Sequence, residues 1–144
     1  MHTIGRHLLA EYYDCDGAIL DDVDAIAKVT REATASIEAT IVGETFHRFS
    51  PQGVSASILI AESHLSLHTW PEAGYAAADI YTCGDLDPRP GFELLGLRLG
   101  AKSSRMHEII RGLPEDIESP DLKFPDDVQL VTKIAPVKPV STAD

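Results

Sequence analysis

Apolar and polar positions change period along this chain, and each change marks an element. Residues 3 to 13 (Thr-Ile-Gly-Arg-His-Leu-Leu-Ala-Glu-Tyr-Tyr) read as a first strand, closed by a turn signal at Cys15-Asp16-Gly17. Val23, Ile26, Ala27, Thr30, Ala33 and Ile37 then recur at three- and four-residue spacings. That is one apolar stripe of a helix, opened by Asp21 and Asp22 and running to about Thr40. Acidic residues in its first turn suit the positive end of the helix dipole. From Ile41 the pattern becomes one of short strands. Glu44 to Phe49 is a strand and Pro51-Gln52-Gly53 a turn. Val54 to Ile60 sets Val54, Ala56, Ile58 and Ile60 on one side against Ser55, Ser57 and Leu59 on the other. Leu65 to Thr69 and Tyr75 to Tyr81 are two more strands, separated by a Pro71-Glu72-Ala73-Gly74 corner. Pro88 to Gly100 reads as a second helix, with Phe92, Leu95 and Leu99 as its stripe, and Ser104 to Arg111 as a last strand.

Beyond Gly112 the periodicity stops. Five of the nine prolines lie between Pro114 and Pro139, among Asp and Glu. This composition predicts an extended or loosely ordered tail, with one strand at Val128 to Ile134. A length of 144 residues fits one domain with a tail.

Charge and composition narrow the function classes. A net charge of −11 argues against nucleic acid, whose phosphates need a basic surface. No apolar run reaches the length of a membrane span, and the N-terminus lacks a basic-then-apolar signal pattern. The expected location is the cytoplasm, where Cys15 and Cys83 are expected as thiols. Glycine-rich phosphate loops, Cys-x-x-Cys pairs and the Gly-x-Ser-x-Gly nucleophile elbow are absent, which disfavours dinucleotide and P-loop enzymes.

One stretch does not fit a half-buried strand: Ala61-Glu62-Ser63-His64-Leu65-Ser66-Leu67-His68-Thr69-Trp70-Pro71-Glu72. On a helix, His64 and His68 would share a face and suit zinc. On the strand read here they stand about 13 Å apart, so no metal is expected. A serine such as Ser63 can attack the carbonyl of the preceding peptide bond, giving an ester whose elimination and hydrolysis leave a pyruvoyl group. Strand alternation sets Ser63 and His68 on opposite faces, so Ser63 is expected in a turn before the strand, with a bulge as the alternative.

The motifs Gly5-Arg6-His7-Leu8, Ala39-Thr40-Ile41-Val42, Phe46-His47-Arg48-Phe49, Pro51, Gly53-Val54-Ser55, Glu62-Ser63-His64-Leu65, His68-Thr69-Trp70-Pro71-Glu72, Gly74-Tyr75-Ala76-Ala77 and Thr82-Cys83-Gly84 occur in this order over most of residues 1 to 85. Together they resemble the short prokaryotic class of S-adenosylmethionine decarboxylase. The resemblance implies an α+β fold: a two-layer sandwich of a mainly antiparallel sheet with helices on one face. It also implies a four-layer αββα homodimer of processed α and β chains, supported by the expectation of an exposed apolar sheet face, because one helix layer cannot cover both sides. Residues 1–112 would form the decarboxylase domain, cleaved between Glu62 and Ser63, and 113–144 the tail.

The roles implied are specific. Ser63 is the precursor of the covalent pyruvoyl cofactor, whose ketone forms a Schiff base with the substrate amine. His68 is the processing base, and Ser55 assists processing. Cys83 is the proton donor, a task suited to a thiol with an ordinary pKa of about 8.5. Phe49 and Trp70 wall the adenine and sulfonium, since an aromatic face attracts a cation. Glu72 accepts the ribose hydroxyls. Without the resemblance Phe49, Trp70 and Cys83 would read as core, and Ser55 and Glu72 as surface. The implied reaction converts S-adenosylmethionine to its decarboxylated form and CO2 for spermidine synthesis. Ala56 stands where a glycine is expected and Ala73 where an aromatic is common, both beside the pocket. Relatives decarboxylate arginine or ornithine; Phe49, Trp70 and Glu72 favour the nucleoside. A non-processing binding relative is the alternative of a different class.

Overall fold

A computed structural model describes residues 5–61, 63–83 and 85–112. The expected strand at Val128 to Ile134 lies outside the described residues. Six strands form one antiparallel sheet in the order β2-β3-β4-β5-β1-β6. They are β1 (Gly5–Tyr13), β2 (Ile41–Arg48), β3 (Val54–Ile60), β4 (Ser63–Trp70), β5 (Tyr75–Cys83) and β6 (Ser103–Arg111). Strands β2 to β5 make a meander, and β1 inserts beyond β5 with β6 on its far side.

Helices α1 (Gly17–Leu20), α2 (Val23–Ser36) and α3 (Arg89–Arg98) cover one face. Helix α2 packs on β2, β3 and β4, and α3 on α2 and β1. The α+β sandwich with helices on one face is therefore as the resemblance implies. Alternation decides which side chains face the helices. Val54, Ala56, Ile58 and Ile60 of β3 are buried against them, while Ser57 and Leu59 are exposed on the other side. Asp22 caps α2 by accepting the backbone N–H groups of Asp24 and Ala25. Thr30 and Thr34 sit on the buried stripe because each hydroxyl donates back to a carbonyl of its own helix, Ile26 and Thr30 respectively.

Four expectations shift. The Cys15-Asp16-Gly17 turn leads into a short helix, α1, capped by Asp16. Helix α2 ends at Ser36 rather than near Thr40, because Glu38 adopts a left-handed φ of 58° that breaks the helical bonding. Strand β2 starts at Ile41 rather than Glu44, since Ile41 already pairs with Ile60. The open sheet face is mainly polar, with His7, His64, Ser66, His68, Asp79 and Tyr81 on its central strands, where an apolar face was expected. Alternation imposes this: the apolar set of each central strand is consumed by the helix face, leaving the polar set outside.

Candidate active site

The β3–β4 hairpin places two groups of expected site residues at opposite ends. Ser63 is the first residue of β4 and pairs with Ile60, so it stands where the chain re-enters the sheet. The sequence reading set it in a turn; the structure makes it the strand's end instead, because the hairpin is tight enough for pairing to begin at once. Among the described residues, Ser63 Oγ is the buried side-chain oxygen that has no hydrogen-bond partner. An orphaned buried hydroxyl is rare in folded proteins and calls for an explanation. Ser63 borders a cleft of about 530 Å³ together with Val42, Leu59, Ile60, Ala61, His64 and Tyr81.

Cys83 ends β5 on the open face, two residues beyond Tyr81, and Tyr81 pairs with His64. The register thus carries Cys83 to the Ser63 end of the sheet. Both cysteines are thiols, and burial together with the nearby Asp14 pushes the Cys15 thiol up to about 11. Cys15 is accordingly a core group rather than a reactive one.

At the other end, Ser55 and His68 are direct cross-strand partners, with Ser55 Oγ 2.8 Å from His68 Nδ1. They line a second cleft of about 330 Å³ with Phe49, Trp70 and Glu72. Phe49 and Trp70 are 47% and 42% exposed, which places both rings at a surface rather than in the core. Trp70 leans on Tyr75 with ring centroids 5.2 Å apart. The Tyr75 hydroxyl donates to Glu11, and this bond, more than burial, raises the phenol to about 12. Glu72 projects from a single 3-10 turn, Pro71–Ala73, that follows β4. Gly53 seats this corner. Its φ of 101° disfavours any side chain, and its N–H donates to Asp21.

The expected set therefore divides. Ser63 and His68 are five positions apart on one strand and alternate to opposite faces, a separation of about 17 Å. Within one chain they do not meet. His64 and His68 do share the open face, but the strand spacing keeps them apart, as the sequence spacing required.

A group that sequence reasoning missed lies between the two ends. Asp79 Oδ2 is 2.7 Å from His7 Nε2 and 2.6 Å from His64 Nε2, and Ser66 Oγ donates to Oδ1. Burial opposes ionisation of Asp79, but the Ser66, His7 and His64 hydrogen bonds outweigh it and hold the carboxyl below its usual range. The one available signal was a lone carboxylate inside the otherwise apolar run Ala76-Ala77-Ala78-Asp79-Ile80.

An antiparallel sheet with helices on one face, carrying a buried, unpartnered serine at a hairpin and a His7–Asp79–His64 cluster between strands, defines the class as an α+β sandwich. The model of the S-adenosylmethionine decarboxylase family matches residues 6–112. The chain belongs to the S-adenosylmethionine decarboxylase family, a family of enzymes. It is 50% identical over 124 residues to the S-adenosylmethionine decarboxylase proenzyme of Thermosipho melanesiensis, covering 84% of this chain and 94% of that protein. Identity to the Thermotoga maritima proenzyme is 49% over 122 residues, with the same coverage of 84% and 94%. The crystal structure of the adenosylmethionine decarboxylase from Aquifex aeolicus VF5 superposes with a TM-score of 0.74 at 32% identity, covering 78% of this chain and 94% of that one.

Proposed function

We infer that the protein is an S-adenosylmethionine decarboxylase that activates itself at Ser63 and works through a pyruvoyl group formed there. The observation that carries this reading is the Ser63 hydroxyl, buried without a partner at the start of β4 in a chain whose relatives are named proenzymes. A hydroxyl held back from other hydrogen bonds keeps its lone pairs for the adjacent backbone carbonyl, which suits self-cleavage between Glu62 and Ser63. The residues around it fit such a group: Ser63 supplies the carbons, and the cleft beside it gives room for a substrate amine. Once formed, the ketone supplies an electron sink for the pair released as CO2 departs.

The remaining roles belong to the chain's own side chains. With its Nδ1–H donated to Ser55 Oγ, His68 keeps the lone pair of Nε2 to take a proton during processing. Cys83 returns a proton to the carbon that lost CO2. Phe49 and Trp70 enclose the adenine and sulfonium, and Glu72 accepts the ribose hydroxyls, all from the cleft that also holds His68. Because Ser63 and His68 lie about 17 Å apart on one strand, a second copy must bring its His68 end to this chain's Ser63 end. We therefore read the functional unit as a homodimer packed through the polar sheet faces, with each site built from two chains. Residues 1–112 form the catalytic domain, and residues 113–144 are an appendage beyond the family match.

The test is direct. Denaturing mass measurement of the purified protein is expected to give chains 1–62 and 63–144, the second beginning with a pyruvoyl group. Carbon dioxide is then expected from S-adenosylmethionine and not from arginine or ornithine. An intact chain that never splits sinks the mechanism, and release from a basic amino acid alone sinks the substrate.

A further inference from the structure

His7, Asp79 and His64 bring three metal-competent atoms within 4.8 Å of one another. Two observations argue for shared protons rather than an ion. Ligands about 2.0–2.2 Å from one tetrahedral metal stand roughly 3.3 Å apart, whereas both imidazole nitrogens here sit at hydrogen-bond distance from the same oxygen, 2.7 and 2.6 Å. Arg111 Nη1 also lies 3.5 Å from His7 Nδ1. A guanidinium only donates, so that nitrogen is an acceptor and the His7 proton sits on Nε2, toward Asp79. A metal-bound Nε2 would put the proton on Nδ1, facing the guanidinium.

The same carboxylate oxygen fixes His64. Its Nε2–H points at Asp79, so Nδ1 carries a lone pair. His64 is 38% exposed and borders the cleft that also holds Ser63. Around it stand His7 on β1, Asp79 and Tyr81 on β5, Leu59 on β3 and, over the Tyr81 ring at 4.8 Å, the Arg111 guanidinium of β6. Gly5 lets Tyr81 take this position: a Cβ there would lie 2.4 Å from the ring. A substrate whose amine must reach residue 63 has to bring its amino-acid end into this cleft. That amine is an ammonium ion at neutral pH and must lose a proton before its nitrogen can attack a carbonyl.

We propose that His64 Nδ1 accepts the substrate's ammonium proton, and that Asp79, braced by His7 and Ser66, is the positioning residue that holds the required tautomer. One N–H bond of the ammonium breaks and leaves its electron pair on nitrogen, and one Nδ1–H bond forms. The new imidazolium is stabilised by the Asp79 carboxylate. This role rests on the decarboxylase reading above and extends it to residues outside the expected site.

Two experiments test it. In a Ser63→Ala chain, which does not split, nitrogen NMR of ring-labelled histidine is expected to show His64 protonated at Nε2 and bare at Nδ1. Adding Asp79→Asn is expected to release that preference into a mixture. A His64 signal protonated at Nδ1 before the Asp79 change overturns the proposal, whatever the activity. In the processing-competent protein, His64→Gln keeps a donor for Asp79 but has no base. It is expected to split at Ser63 and to lose about 100- to 10,000-fold in kcat/KM. Retention of kcat/KM within threefold overturns the proposal. If His64→Gln does not split, the NMR result decides alone. If the unmodified protein itself splits but releases no CO2 from S-adenosylmethionine, the decarboxylase reading has failed instead.

Discussion

Ser55 Oγ lies 2.8 Å from His68 Nδ1 across β3 and β4, so one strand orients the imidazole carried by the next. Removing the hydroxyl leaves the imidazole in place but lets it turn. Ser55→Ala is expected to slow self-cleavage about tenfold, the effect of losing one hydrogen bond of ~1.4 kcal/mol. Timed gel analysis of freshly refolded protein measures it. Splitting at the unaltered rate would remove Ser55 from processing.

Ser63 and His68 occupy opposite ends of β4 on opposite faces. If each site takes Ser63 from one chain and His68 from another, Ser63→Ala and His68→Ala chains are each expected to stay intact alone. Co-expressed, they pair to rebuild one complete site. The His68→Ala chain is then expected to split, detected by its mass. A verified mixed dimer in which neither chain splits would show that both residues serve within one chain.

Thr69 ties the hairpin to α1. Its buried hydroxyl accepts the Val54 N–H at 2.9 Å and donates to the Leu20 carbonyl at 2.7 Å. Thr69→Val keeps the shape and strands both backbone groups away from water. A loss of ~2 kcal/mol in unfolding free energy is expected from urea titration. A loss well under ~0.5 kcal/mol would mean that water replaces the hydroxyl.

Asp21 accepts the Gly53 N–H and the Arg48 guanidinium, which hold its carboxyl below the usual range. The folded state therefore favours the ionised form. That stabilisation is complete above the ordinary carboxylate pKa of about 3.9 and is lost as pH falls through the lower folded value. The melting temperature is expected to drop on acidification below about pH 4, and Asp21→Asn to lower it at pH 7 while reducing the further drop. Equal acid slopes for the two proteins would refute the assignment.

The sequence determined the layers. Strict alternation in Val54 to Ile60 committed one side of β3 to the helices, and the stripe from Val23 to Ile37 matched it. Local chemistry set these features, so they were legible from neighbours in the chain. The motif order likewise marked Ser63, His68 and Cys83 without reference to space. It could not show the end of α2, because Glu38 carries no sequence mark of its left-handed backbone. It also misplaced Ser63, since hairpin pairing is decided across strands.

Tertiary structure decided what meets what. His7, His64 and Asp79 are distant in the chain and meet only because β1, β4 and β5 are neighbours in a fixed register. The same register holds Ser63 away from His68, although both lie in one short motif. An extended strand is stiff and long for its residue count, so closeness in sequence becomes distance in space, while pairing turns distance in sequence into contact.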